Sequence, residues 1–306
     1  MKNRIDRRKL LQLGTVAAAF GMASVPVSAA DHAANPVVKL TWIGASTMVI
    51  EFNGQTILTD PCFGEGDEAF IMGDPNEMFD LAKGPNVKAH RRITPFPGIT
   101  STDVDLVILS HAHEDHFDQK AETALKRDIS IILPPQDTKK IAEKGFTNLD
   151  SLDWGQKRAF SVGTGEIKIT AVNTHHSENP EIAKILGKGN GYWLEFSQGN
   201  WKKTIYWTGD TFASNDVIKT VQALGTPDIM VPHLGAVGST GPLGEITMGA
   251  SDLVPFAKSI KPGKILPIHH STYELYLEPI SELVGLNKDQ SMAIDLVSEG
   301  TTVLYS

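Results

Sequence analysis

The run Ser110-His111-Ala112-His113-Glu114-Asp115-His116 places three imidazoles and two carboxylates within seven residues. Alternate side chains of an extended segment share a face, so His111 and His113 point the same way. Asp115 and His116 follow a turn and reach a second point a few ångströms away. Imidazole nitrogen and carboxylate oxygen together suit zinc, manganese or iron. Structural zinc sites are more often closed and Cys-rich, whereas this chain holds one cysteine, Cys62. The motif therefore points to an open, catalytic metal site.

The elements that must position such a site are legible as strand-length apolar runs. The first half has Val38–Ile43, Thr47–Phe52, Thr56–Leu58, Leu106–Leu109 and Ile129–Leu133. The second half has Ile167–Val172, Tyr192–Phe196, Thr204–Trp207, Ile229–Val231, Lys264–Ile268 and Thr302–Tyr305. Helix-like segments are Gln119–Arg127, Thr138–Lys144, Asn215–Leu224, Thr247–Ile260 and Glu278–Leu286. The pattern predicts one layered αβ domain with sheets inside and helices outside. Gly64–Ile99, rich in Gly and Pro with little periodicity, reads as a long surface loop and a candidate home for substrate contacts.

Composition sets outer limits. The chain has 306 residues, 41% hydrophobic and 21% charged, with 36 acids against 28 bases and a net charge of -8. That balance excludes a disordered or polytopic membrane chain and argues against a nucleic-acid binder. The first thirty residues differ from the rest. A basic start with Arg7-Arg8 precedes a Gly/Ala-rich apolar run and ends in Ser28-Ala29-Ala30. Residues 1–30 read as a cleavable export signal, leaving a single domain over 31–306. The arginine pair resembles a twin-arginine signal, which implies contact with that export machinery and a periplasmic or secreted location. Asp6 and Leu10 depart from its usual pattern.

The motif His111-x-His113-x-Asp115-His116 resembles the signature of the metallo-β-lactamase fold superfamily. Companions follow in that superfamily's order: Asp60 before Pro61, His176 in Thr174-His175-His176-Ser177, Asp210 after Gly209, and His269 after Pro267-Ile268. The resemblance implies an α+β fold, a four-layer αββα sandwich with two mixed sheets inside and helices outside. It implies two divalent metal ions, zinc first, with manganese or iron as alternatives. His111, His113 and His176 would bind one; Asp115, His116 and His269 the other; Asp210 would bridge them. Asp115 and Asp210 are also the candidates for assisting proton transfer. Asp60 would stand behind a ligand and hold a histidine tautomer. The family pattern favours His176 over His175 and His269 over His270.

Asp210 stands where cysteine-using β-lactamases have Cys, which argues against typical β-lactamase activity; Cys62 reads as a packed small residue. Trp42-Ile43-Gly44-Ala45-Ser46, Thr59-Asp60-Pro61, Gly189-Asn190-Gly191-Tyr192 and Pro267-Ile268-His269 before Tyr273 resemble one branch. It includes L-ascorbate-6-phosphate lactonase-like hydrolases and N-acyl-phosphatidylethanolamine phospholipase D. The implied activity is hydrolysis of an ester, lactone or phosphodiester in a small, anionic or lipid-like molecule. Arg91 and Arg92 are candidate contacts for an anionic group, because Arg forks match phosphate. His233 is a candidate donor to a substrate oxyanion. The alternatives are a mononuclear iron oxygenase of the same fold, using His111, His113, His176 and Asp210, and a non-catalytic metal-binding periplasmic protein.

Overall fold

The computed structural model describes residues 35–99 and 104–306; the expected export segment, 1–30, lies outside them. A seven-stranded mixed sheet has the order β15-β1-β2-β3-β6-β7-β8. Its strands are β1 (Val38–Gly44), β2 (Thr47–Phe52), β3 (Gln55–Thr59), β6 (Leu106–Ile108), β7 (Ser130–Leu133), β8 (Asn148–Ser151) and β15 (Thr302–Tyr305). β1, β2 and β3 are antiparallel; β3, β6, β7 and β8 run parallel. Asn53 and Gly54 both take positive φ between β2 and β3, as a tight primed hairpin turn requires.

The second sheet has six strands in the order β14-β13-β12-β11-β10-β9. They are β9 (Lys157–Val162), β10 (Gly165–Asn173), β11 (Asn190–Gln198), β12 (Trp201–Trp207), β13 (Ile229–Val231) and β14 (Lys264–Ile265). β9 to β12 are antiparallel, and β13 and β14 run parallel to β12.

Side-chain alternation turns each sheet into two packing faces. On β11, Tyr192, Leu194 and Phe196 enter the core between the sheets with Trp42, Ile50, Ile108 and Trp207. Trp193 points the other way, to Val217 and Val221 of α4 (Asn215–Leu224) and Phe256 of α5 (Ala250–Ile260). On the first sheet, Val107 and Ile131 face Ala121 of α1 (Gln119–Ala124) and Ile141 of α2 (Thr138–Glu143). Helix, sheet, sheet and helix thus stack in four layers, the expected αββα sandwich. Fully burying each large side chain contributes about 1.5–3 kcal/mol relative to exposure.

Three expectations need amendment. The segment read as a long loop contains a hairpin, β4 (Phe70–Gly73) paired with β5 (Val87–His90). Phe70 stacks on His90, with ring centroids 4.8 Å apart, a contact no local periodicity announces. Helix α3 (Pro180–Leu186) was also not anticipated; Asn179 caps it, accepting a hydrogen bond from Glu181 N–H. The strand expected over Lys264–Ile268 stops at Ile265. A short helix, α6 (Ser281–Leu286), packs on α5. Among the described residues, no helix is long and apolar enough to cross a membrane.

Candidate metal centre

The strand directions bring the polar residues together. β3 and β6 are parallel. β10 and β12 both run antiparallel to β11, so they share a direction with β13 and β14. Asp60 follows β3, the His-rich run follows β6, His176 follows β10, Asp210 follows β12 and His269 follows β14. Each lies beyond the carboxyl end of its strand, where an open sheet presents ligand-binding groups.

Local structure sets each side chain. The backbone N–H groups of His116 and Phe117 donate to the His113 carbonyl at 3.0 and 2.9 Å, forming the turn that separates His113 from His116. Asp118 caps α1, accepting from Ala121 N–H at 2.6 Å and from Gly64 N–H at 2.7 Å. Gly209 has φ +60°, and a Cβ there would meet the Asn190 carbonyl oxygen at 2.6 Å. Only glycine lets β12 turn this closely before Asp210.

The histidines are oriented from behind. Nδ1 of His176 lies 2.6 Å from the Ile246 carbonyl oxygen, and Nδ1 of His269 lies 2.7 Å from that of Leu234. A carbonyl only accepts, so both rings carry a proton on Nδ1 and turn Nε2 toward the site. Nδ1 of His116 donates to Asp60 Oδ2 at 2.6 Å. The Ser110 hydroxyl donates to the same carboxylate at 2.5 Å and accepts from His111 Nδ1 at 2.9 Å. Asp60 thus orders two rings, His116 directly and His111 through Ser110.

The Nε2 atoms converge on two carboxylates. Asp210 Oδ2 is 3.1 Å from Nε2 of His116, 3.5 Å from that of His176 and 4.0 Å from that of His111. Asp210 Oδ1 faces His269 Nε2 at 4.0 Å, and Asp115 Oδ2 lies 3.7 Å from the same nitrogen. His111, His113 and His176 form one set whose ligand atoms lie within 4.8 Å of one another, and Asp115, His116 and His269 form another. Nε2 of His111, His176 and His269 and Asp210 Oδ1 are buried without a hydrogen-bond partner. Unpartnered buried polar atoms are costly. Cations held by the two sets would satisfy these atoms, so the donor set fits divalent metal.

Electrostatics agrees. Burial, then the neighbouring His176, pushes the His113 pKa down to about 3. Burial likewise drives His111 well below its ordinary value. Both are therefore neutral donors at pH 7. Burial would also raise Asp115 and Asp210, but the adjacent His116 and His269 outweigh it and hold both carboxyls ionised. Burial opposes charge on His116 too, yet Asp210, Asp115 and Asp60 together hold this ring well above its usual pKa. The cluster calls for positive charge at this point.

A cavity of about 250 Å³ opens onto His113, Asp115, His176 and Asp210. Its walls come from the segment between β4 and β5, from the end of α3 and from the loop after β13.

A family model described as "Beta-lactamase superfamily domain" matches residues 39–269. The chain belongs to the β-lactamase superfamily domain family. A UPF0173 metal-dependent hydrolase from Anoxybacillus flavithermus is 29% identical over 252 residues, covering 81% of this chain and 93% of the relative. Among solved structures, an isothiocyanate hydrolase from Delia radicum gut bacteria has a TM-score of 0.69 at 26% identity, over 88% of this chain and 99% of that one. A possible metal-dependent hydrolase from Veillonella parvula has a TM-score of 0.70 at 19% identity, over 87% and 99%.

In this β-lactamase superfamily chain all seven expected ligands meet, with Asp60 behind them. His176 turns inward, whereas the backbone N–H of His175 donates to Thr211 Oγ1 at 2.8 Å. His269 turns inward, whereas His270 packs on the Trp42 ring at 4.7 Å. The substrate contacts expected elsewhere are not at the cavity. Arg92 is buried, its Nη2 2.6 Å from Glu299 Oε2 and 2.8 Å from the Ile43 carbonyl oxygen. Arg91 is exposed and pairs with Asp67 and Glu274. His233 is fully buried, with Nδ1 3.2 Å from Thr208 Oγ1, and lies outside the cavity lining. The Cys62 thiol donates to the Asp115 carbonyl at 3.0 Å, so this packed cysteine also supports the ligand loop. Sequence reasoning did not find the Ser110 relay, although its place beside His111 was a usable signal. The Ile246 and Leu234 carbonyls carry no side-chain signal at all.

Proposed function

We propose that this chain is a binuclear metal-dependent hydrolase acting on an ester, lactone or phosphodiester. The observation that carries the reading is the set of four histidines whose Nδ1 atoms are committed to hydrogen bonds behind the site, leaving Nε2 aimed at Asp210 and Asp115. Divalent ions held by these residues would supply hydroxide at neutral pH and Lewis acidity toward a substrate oxygen. Asp210, between the two histidine sets, would bridge them. Asp115 and Asp210 would hold a proton only transiently, since both also serve as ligands. Zinc suits the mixed nitrogen and oxygen donors, with manganese or iron as alternatives. The names of the Anoxybacillus and Delia gut bacterial relatives support hydrolysis, and isothiocyanates belong on the substrate panel.

Asp115, His116 and His269 exceed what a mononuclear iron oxygenase requires. The test is metal analysis of the full chain together with a panel of esters, lactones, phosphodiesters and isothiocyanates. Two metals per chain and turnover lost in His113→Ala and Asp210→Ala are expected. One iron with oxygen uptake would replace the reading with the oxygenase. Tight metal binding without any hydrolysis would replace it with a binding protein.

A further inference from the structure

Resting on the hydrolase reading, we infer that the substrate is uncharged and carries an apolar group, and that the cavity discriminates against anionic molecules. The walls above the polar floor are Met72, Phe79, Leu186, Val237, Leu243 and Ile246. They come from three separate segments, so the apolar character is not the accident of one loop. Among the described residues lining the cavity there is no lysine or arginine. Glu114 is its one ionisable group beyond the proposed ligands.

No cation of the surrounding elements lines the cavity: Lys83 and Lys184 stand on its wall segments but outside its lining, and several others are engaged elsewhere. Lys140 Nζ is 3.0 Å from Glu114 Oε1 and also donates to the Ala112 carbonyl. Lys88 Nζ on β5 lies 2.6 Å from Asp74 and 2.7 Å from Glu77. Arg91 and Arg92 pair with acids away from the cavity. An anionic group entering beyond the metal floor would lose hydration against apolar walls and meet the Glu114 carboxylate, with no cation in the lining to compensate. An apolar group entering the same space replaces water at no such cost.

Two independent readouts test this on the full metal-loaded chain. The first compares kcat/KM for phenyl acetates bearing para-methyl, para-sulfonate or para-trimethylammonium groups, each divided by that ester's own hydroxide rate constant. The methyl ester is expected to lead both charged esters by about tenfold or more, the equivalent of about 1.4 kcal/mol. The second compares binding of neutral N-phenyl-1-naphthylamine with 1-anilinonaphthalene-8-sulfonate, the same skeleton bearing an anion. The neutral probe is expected to bind about tenfold tighter, and Leu243→Asp should weaken it. A charged ester turned over as well as the neutral one, a tighter sulfonate probe, or neutral binding indifferent to Leu243→Asp overturns the inference. If no ester, lactone, phosphodiester or isothiocyanate of the panel is cleaved while the probes behave as expected, the hydrolase reading fails and the preference for uncharged ligands stands.

Discussion

Asp60 Oδ2 lies 2.6 Å from His116 Nδ1, with both side chains wholly buried. The same oxygen accepts the Ser110 hydroxyl, and Asp60 Oδ1 accepts Ser110 N–H at 2.7 Å. Burial raises the Asp60 pKa, while His116 and Ser110 favour its charged form. Asp60→Asn removes the anionic acceptor that keeps the His116 proton on Nδ1. Losing such a partner behind a metal ligand typically costs about 10–100-fold in metal affinity or activity. Metal titration and kcat/KM of the variant measure this; wild-type values for both would refute the orienting role.

Ser110→Ala should act on a different ring. It cuts the link from His111 Nδ1 to Asp60 while leaving the Ser110 N–H bond in place. The loss should be roughly tenfold, and it should not add fully to Asp60→Asn, because both changes break one network. Simple additivity in the double variant would show that the relay is not a unit.

Arg92→Met separates two interpretations of that arginine. Glu299 also accepts the Thr94 and Thr272 hydroxyls. Thr272 Oγ1 accepts Ala45 N–H at 2.6 Å, and the Ala45 carbonyl accepts His269 N–H at 2.9 Å. Leaving Glu299 buried without its cation should cost about 3–5 kcal/mol, a fall in Tm of roughly 10 °C. Arg92→Met/Glu299→Leu should recover much of it. A variant with unchanged Tm and a raised KM would instead make Arg92 a substrate contact.

His270 makes stability depend on pH. Burial pushes its pKa down to about 4 from an ordinary 6.5. Between those values the unfolded chain binds a proton that the folded chain does not. Its contribution is therefore present above pH 6.5 and is lost as pH falls toward 4, by about 3 kcal/mol in all. In chelator-treated protein, His270→Phe should flatten the pH dependence of the urea midpoint over that window, while keeping an aromatic ring against Trp42. Parallel wild-type and variant profiles would disprove the assignment.

The His111-x-His113-x-Asp115-His116 run was legible because it is local: one strand end and one turn carry four ligands, and period-two alternation sets their directions. The strand runs were legible because the sheets are buried on both faces, which writes apolar stretches into the chain. Hence the layered sheets, and the strand ends bearing Asp60, His176, Asp210 and His269, could be anticipated, while the four-layer order followed from the family resemblance. The β4–β5 hairpin could not, because its pairing of Phe70 with His90 joins residues twenty apart and is specified by packing.

What the sequence determined by itself was the donor set, since residue types and strand-end positions are local properties. Tertiary structure supplied the physical reason for the family pattern's preference for His176 and His269, a backbone carbonyl from a distant loop that fixes each ring. It also decided the fate of the arginines. Arg92 reads as a phosphate fork in isolation, yet its partner is Glu299, 207 residues away. Charge compensation is a through-space property, so a linear reading names the cation and only the fold names its anion.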